Sequence, residues 1–125
     1  MKKLFLLSIF VMLLSVSANA QSPEIKFEKT VHDFGTIQEN GGEVTISFEF
    51  TNTGDAPLII NAVQVSCGCT SRDWTREPIS PKGKGFIKVS YNPKGRPGPF
   101  SKSVTVNSNS SKPVVLIIKG DVNKK

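Results

Sequence analysis

The chain has 125 residues, a formal net charge of +6 and 38% hydrophobic residues, which suits one domain. Away from its two ends the lysines (Lys26, Lys29, Lys82, Lys84, Lys88, Lys94, Lys102, Lys112, Lys119) are scattered, which solubilises a surface and differs from the clustered footprint of a nucleic-acid binder. Two cysteines and one histidine leave little material for a four-ligand zinc site or a histidine-based triad.

Lys2 and Lys3 precede an apolar run over residues 4–16, and Ala18-Asn19-Ala20 places small residues at the −3 and −1 positions of a signal-peptidase site. The run is shorter than the roughly 20 residues that span a bilayer. Residues 1–20 are therefore expected to be a signal peptide. Residues 21–125 are expected to form a single exported domain, soluble in the periplasm or outside the cell, with no later segment inserting in a membrane. No cysteine lies near the cleavage point, so a lipoprotein is not expected. Removing 20 residues from 125 leaves 105, and the loss of Lys2 and Lys3 lowers the charge from +6 to +4.

Beyond residue 20 the chain reads as strand. Residues 24–28 alternate polar and apolar. Val44, Ile46, Phe48 and Phe50 then fall on one side of a segment whose other side is Glu43, Thr45, Ser47 and Glu49. Such alternation marks a half-buried strand. It recurs at Ile87, Val89 and Tyr91, and again at Val104 and Val106. Leu58-Ile59-Ile60 and residues 114–118 are continuous apolar runs, suited to strands contacted on both faces. Gly, Pro and Asn clusters at residues 40–42, 52–55, 80–83 and 92–99 supply the turns. No segment after residue 20 repeats apolar residues at helical spacing. The expected fold is all-β, an antiparallel two-sheet immunoglobulin-like sandwich of about seven strands. Its core is expected from Phe27, Phe34, Val44, Ile46, Phe48, Phe50, Ile60, Val65, Ile87, Val89, Val104, Val106, Leu116 and Ile118.

His32-Asp33-Phe34-Gly35-Thr36-Ile37, Phe48-Glu49-Phe50-Thr51-Asn52-Thr53-Gly54, Pro57-Leu58-Ile59-Ile60 and Ser66-Cys67-Gly68-Cys69-Thr70 follow one another in that order. Ile79-Ser80-Pro81-Lys82-Gly83 and Gly98-Pro99-Phe100-Ser101-Lys102 come later. In this the chain resembles the bacterial envelope family known as domain of unknown function 1573, over nearly all of residues 21–125. That family is similar to Hydin/ASPM-type and major-sperm-protein-type sandwich modules. The resemblance implies an interaction module and brings no established activity or cofactor.

Several short motifs have plain structural readings. Asp33-Phe34-Gly35 matches a kinase triplet in letters only, and reads better as a strand-edge Asp, a buried Phe and a turn Gly. Asn109-Ser110-Ser111 satisfies the glycosylation sequon but reads as a hairpin turn. Trp74 and Tyr91 are expected to pack in or beside the core. His32 is the only possible imidazole base and is far in sequence from the cysteines, so no enzyme is expected.

Cys67-Gly68-Cys69 is the main chemical candidate. On a regular strand the two side chains sit about 6.5–7 Å apart, beyond the roughly 3.5–4.5 Å Cβ separation of a disulfide. Gly68 opens turn conformations that make a strained bridge feasible. Its loop entropy contributes only about 1.6 kcal/mol, and strained bridges are the readily reduced ones. Three readings stay open: a disulfide or structural pair, a thiol redox couple, or a soft-metal site, for which two-coordinate Cu(I) is the one case this ligand set allows. The second candidate is Lys94 and Arg96, in a Pro- and Gly-rich segment that serves either as a solvated turn or as a pre-ordered basic contact loop. Together these features point to an exported binding or scaffolding module contacting another envelope protein, with a small redox or copper-handling protein as the alternative.

Overall fold

In the computed structural model, which describes residues 21–66 and 70–124, alternation in sequence becomes alternation in burial. Residues 1–20, expected as a signal peptide, lie outside the described residues. The strands are β1 (Ile25–Phe27), β2 (Val31–Gln38), β3 (Val44–Asn52), β4 (Ile60–Val65), β5 (Thr70–Trp74), β6 (Lys84–Tyr91), β7 (Gly98–Ser108) and β8 (Val114–Asn123). They form two sheets, ordered β1-β3-β6-β5 and β2-β8-β7-β4. In β3 Phe48, Phe50 and Asn52 point inward and are buried, while Thr45, Ser47 and Glu49 are exposed. Ile87, Val89 and Tyr91 of β6 and Val104 and Val106 of β7 complete the inner faces with Leu116 and Ile118 of β8.

Among the described residues the strands number eight where about seven are expected, because the first of them is divided. After β1 pairs with β3, the chain crosses at residues 28–30 and runs on in the same direction as β2 of the other sheet. β2 therefore lies parallel to β8, which makes that sheet mixed and not wholly antiparallel. Of the expected core, Phe27, Phe34, Val44, Ile46 and Val65 are only partly buried. Leu58, Val63, Ile79, Tyr91 and Val122 belong to the core as well. The run Leu58-Ile59-Ile60 is not one strand contacted on both sides. Leu58 bridges to Ile79, Ile59 is exposed, and the strand begins at Ile60. β8 is central as expected, but Val115 is 52% exposed because nothing among the described residues covers its outer face.

Two family motifs are architectural devices. Asp33 Oδ1 accepts the Gly35 N–H at 2.8 Å, and Gly35 has φ 72°, a left-handed conformation that only glycine adopts cheaply. This turn makes a bulge between Asp33 and Thr36 that keeps both halves of β2 in register with β8. Asn52, fully buried, joins three segments at the lower end of the sandwich. Its Nδ2 donates to the Ala56 and Ile79 carbonyls (2.8 and 2.9 Å), and its Oδ1 accepts the N–H of Gly54 (2.9 Å) and of Glu24 (3.3 Å). Its backbone N–H donates to the Gly83 carbonyl, and its carbonyl accepts the Lys82 N–H. The Asn109 side chain likewise accepts from Ile59 N–H and donates to the Pro57 carbonyl, which ties the β7–β8 hairpin to the β3–β4 connection.

Candidate functional site

The topology sends β2, β4, β6 and β8 toward one end, here the upper end. Lys94 and Arg96 lie there on the β6–β7 turn, and both are exposed. The turn is nevertheless fixed. Pro93 is buried, the Asn92 side chain accepts the Lys94 N–H (3.1 Å), and the Pro93 carbonyl accepts the Arg96 N–H (3.0 Å). Glu39, from the β2–β3 connection, accepts the Gly95 N–H through Oε2 at 3.0 Å, and its own N–H donates to the Asn123 carbonyl. Gly95 and Gly98 take φ 73° and 104°, which the turn requires. A shallow cleft of about 270 Å³ separates Asn40 and Gly42 from Asn92 and Lys94, with Glu39 at its edge.

Beneath this loop the Tyr91 and Phe100 rings stack at 4.0 Å between centroids and 8° between planes. Burial pushes the Tyr91 phenol above its ordinary range, and the charge of Arg96 opposes the shift. Gly120 makes room for the stack, since a Cβ there would stand 2.8 Å from the Phe100 ring and 3.0 Å from the Gly35 carbonyl oxygen.

Cys67 and Cys69 lie outside the described residues. The residues that flank them are anchored: the Ser66 hydroxyl accepts the Ser103 N–H (3.3 Å), and Thr70 is buried in register with Tyr91. Ser66 and Thr70 thus belong to the upper end, as do Lys94 and Arg96. His32 is not part of that end. It sits low on β2, edge-on to Phe34 at 4.6 Å, and burial holds its pKa below the usual imidazole value, with Lys29 adding to the effect and Asp33 opposing it. No group of three or more His, Cys, Asp or Glu side chains among the described residues could hold a metal ion.

Sequence reasoning missed two features of the β4–β5 side. Arg72, although exposed, donates from Nε to the Val63 carbonyl at 3.1 Å, so β5 is stitched to β4 along the edge of the sandwich. Arg76 lies 3.7 Å from the Trp74 ring centre and 3.3 Å from Asp73. The signal for Arg72 was its place in Thr70-Ser71-Arg72-Asp73-Trp74, where period two assigns it to the same face as Trp74.

The fold is shared widely. A protein of unknown function from Porphyromonas gingivalis W83 superposes with a TM-score of 0.70 at 17% identity, covering 82% of this chain and 48% of that one. The chain thus spans about half the length of that protein. The ASH/PapD-like domain 7 of human CEP192 gives 0.63 at 12% identity, covering 83% and 88%. The YadV chaperone gives 0.54 at 14% identity, covering 81% and 52%. No curated protein sequence matches the chain. By its fold the molecule is an immunoglobulin-like β-sandwich, similar to the PapD-like domain. Residues 25–122 match the family described as "Protein of unknown function (DUF1573)", and the chain belongs to that family.

Proposed function

We propose that the chain is an exported interaction module of the bacterial envelope, soluble in the periplasm or outside the cell once residues 1–20 are removed. It binds another envelope protein and has no catalytic or cofactor-dependent activity. The supporting observation is the β6–β7 turn, where two exposed cations stand on a backbone whose N–H groups donate to Asn92, Pro93 and Glu39. A loop ordered before binding loses little further entropy when a partner docks. Photocrosslinking in intact cells from position 40, across the cleft from Lys94, compared with position 47 on an outer sheet face, tests this. A specific envelope-protein adduct at 40 that is lost on Lys94→Glu with Arg96→Glu supports the reading. No adduct, or one indifferent to charge reversal, overturns it.

The one-residue spacing of Cys67 and Cys69 favours the second reading, a thiol redox or copper-handling protein. Intact mass of protein taken from the envelope, with and without alkylation and reductant, distinguishes free thiols, an internal bridge, a covalent dimer and bound metal.

A further inference from the structure

The sheet edges are blunted, which directs recognition elsewhere. β1 has three residues, and β2 is interrupted by its bulge. On the other side Arg72 covers the Val63 carbonyl, and Asp73 Oδ1 accepts the Trp74 N–H at 2.9 Å. The two outer faces differ in charge. On the β1-β3-β6-β5 sheet, exposed Lys26, Glu49, Lys88 and Asp73 are spread across all four strands. On the other sheet the half nearer the lower end carries no charged side chain among the described residues. Val31 and Ile117 are register partners there, and Val115 lies one step below on β8. Ser103 and Thr105 of β7 stand opposite Ile117 and Val115. Val31 is 45% and Val115 52% exposed.

We infer that this uncharged half-face pairs with the same surface of a second copy, the sheets face to face and the strands antiparallel. The charges bordering it select that occupant and that orientation. Above the Val31–Ile117 row stand exposed Asp33, in register with Lys119, and exposed Asp121. Below it stand Lys29, at the β1–β2 crossing, and Lys112, in the β7–β8 turn, both exposed. A two-fold axis running across the strands at this row sets β2 on β2 and β8 on β8 with their directions reversed. Asp33, two residues above the row, then faces Lys29 of the other copy, two residues below it. Asp121 faces the Lys112 side of the other copy in the same way. Lys119 lays its aliphatic stem over Val115 of the other copy while its ammonium reaches the rim. Each contact occurs twice, as an isologous interface requires.

Four strands about 4.8 Å apart and three outward rows about 6.7 Å apart make roughly 400 Å² of flat face. That is below the roughly 800 Å² per partner of a standard stable interface, so the pair is weak and forms at high local concentration. The inference is independent of the β6–β7 loop.

Sedimentation equilibrium of the purified protein at low salt, from about 10 μM to about 1 mM, tests it. The expected result is a concentration-dependent dimer whose Kd rises at least about tenfold with Val115→Lys and with Asp121→Lys, the second change being reversed by adding Lys112→Asp. Circular dichroism verifies that each variant keeps its sheet; Val115 and Asp121 are both exposed, so substitution there spares the core. A protein monomeric throughout, as it would be if an unlike partner covered this face, overturns the inference. So does a dimer indifferent to Val115→Lys, or a charge swap that restores nothing.

Discussion

Replacing Asn52 by alanine should remove more stability than deleting any surface ion pair of this protein. The substitution leaves two carbonyls, of Ala56 and Ile79, and two N–H groups, of Gly54 and Glu24, without the side chain that joins them. The bond to the Ile79 carbonyl is buried, and orphaning that group costs about 1–3 kcal/mol; the three part-buried bonds cost about 0.5–1.5 kcal/mol each, less where water enters. The total expected is about 3–5 kcal/mol, set against the 5–15 kcal/mol typical of a whole domain. Asn52→Asp should behave differently. It keeps the acceptor for Gly54 and Glu24 but points a carboxylate oxygen at two carbonyls, and acidification should return part of the loss because a protonated carboxyl can donate to one of them. Urea unfolding followed by fluorescence of Trp74, the one tryptophan, at neutral and mildly acidic pH measures both variants. A loss under about 1 kcal/mol for Asn52→Ala would refute the claim that this side chain ties the three lower segments together.

Gly120→Ala should destabilise by about 1–3 kcal/mol through overpacking, since its Cβ would meet the Phe100 ring and the Gly35 carbonyl; near-ultraviolet dichroism of the Tyr91–Phe100 stack reports it. Because burial depresses the pKa of His32 in the folded state, the unfolded chain binds the proton first. Stability should fall as pH drops below about 6.5 and level off below the folded value, and His32→Gln should flatten that slope in melts recorded across pH. Replacing Cys67 and Cys69 by serine should leave the domain folded and lower its stability by no more than about 1–2 kcal/mol, read from thermal melts with and without reductant. Complete unfolding would show that the pair holds the fold.

Period two made β3 and β6 legible, because Phe48, Phe50, Ile87 and Val89 interleave with polar residues without a break. It failed where a local device interrupts it. In β2 the bulge at Gly35 shifts the phase between Phe34 and Ile37, both of which face the interior. In β5 the residue between buried Thr70 and half-buried Trp74 on that face is exposed Arg72, whose guanidinium donates to a backbone carbonyl, so the strand shows no apolar alternation. Asn52 reads as the start of a turn, since nothing local reveals that Glu24 and Ile79, 28 and 27 residues away, converge on its amide. The parallel β2–β8 pairing joins distant segments and is settled by global packing, beyond the reach of local pattern. Of the candidate sites, Lys94 and Arg96 were legible as a turn, but the Glu39 contact that fixes it comes from 56 residues away.

The parallel pairing of β2 with β8 also has a mechanical consequence. The described chain enters at the lower end, where residues 22–24 bond to the β3–β4 connection, and β8 leaves it at the upper end. Tension applied between those two points pulls β2 downward and β8 upward along their common direction. The hydrogen bonds between them lie across the line of pull, so they share the load in shear and do not open one at a time like a zipper. A domain wired this way resists extension most strongly along the axis that joins the two ends of the described chain.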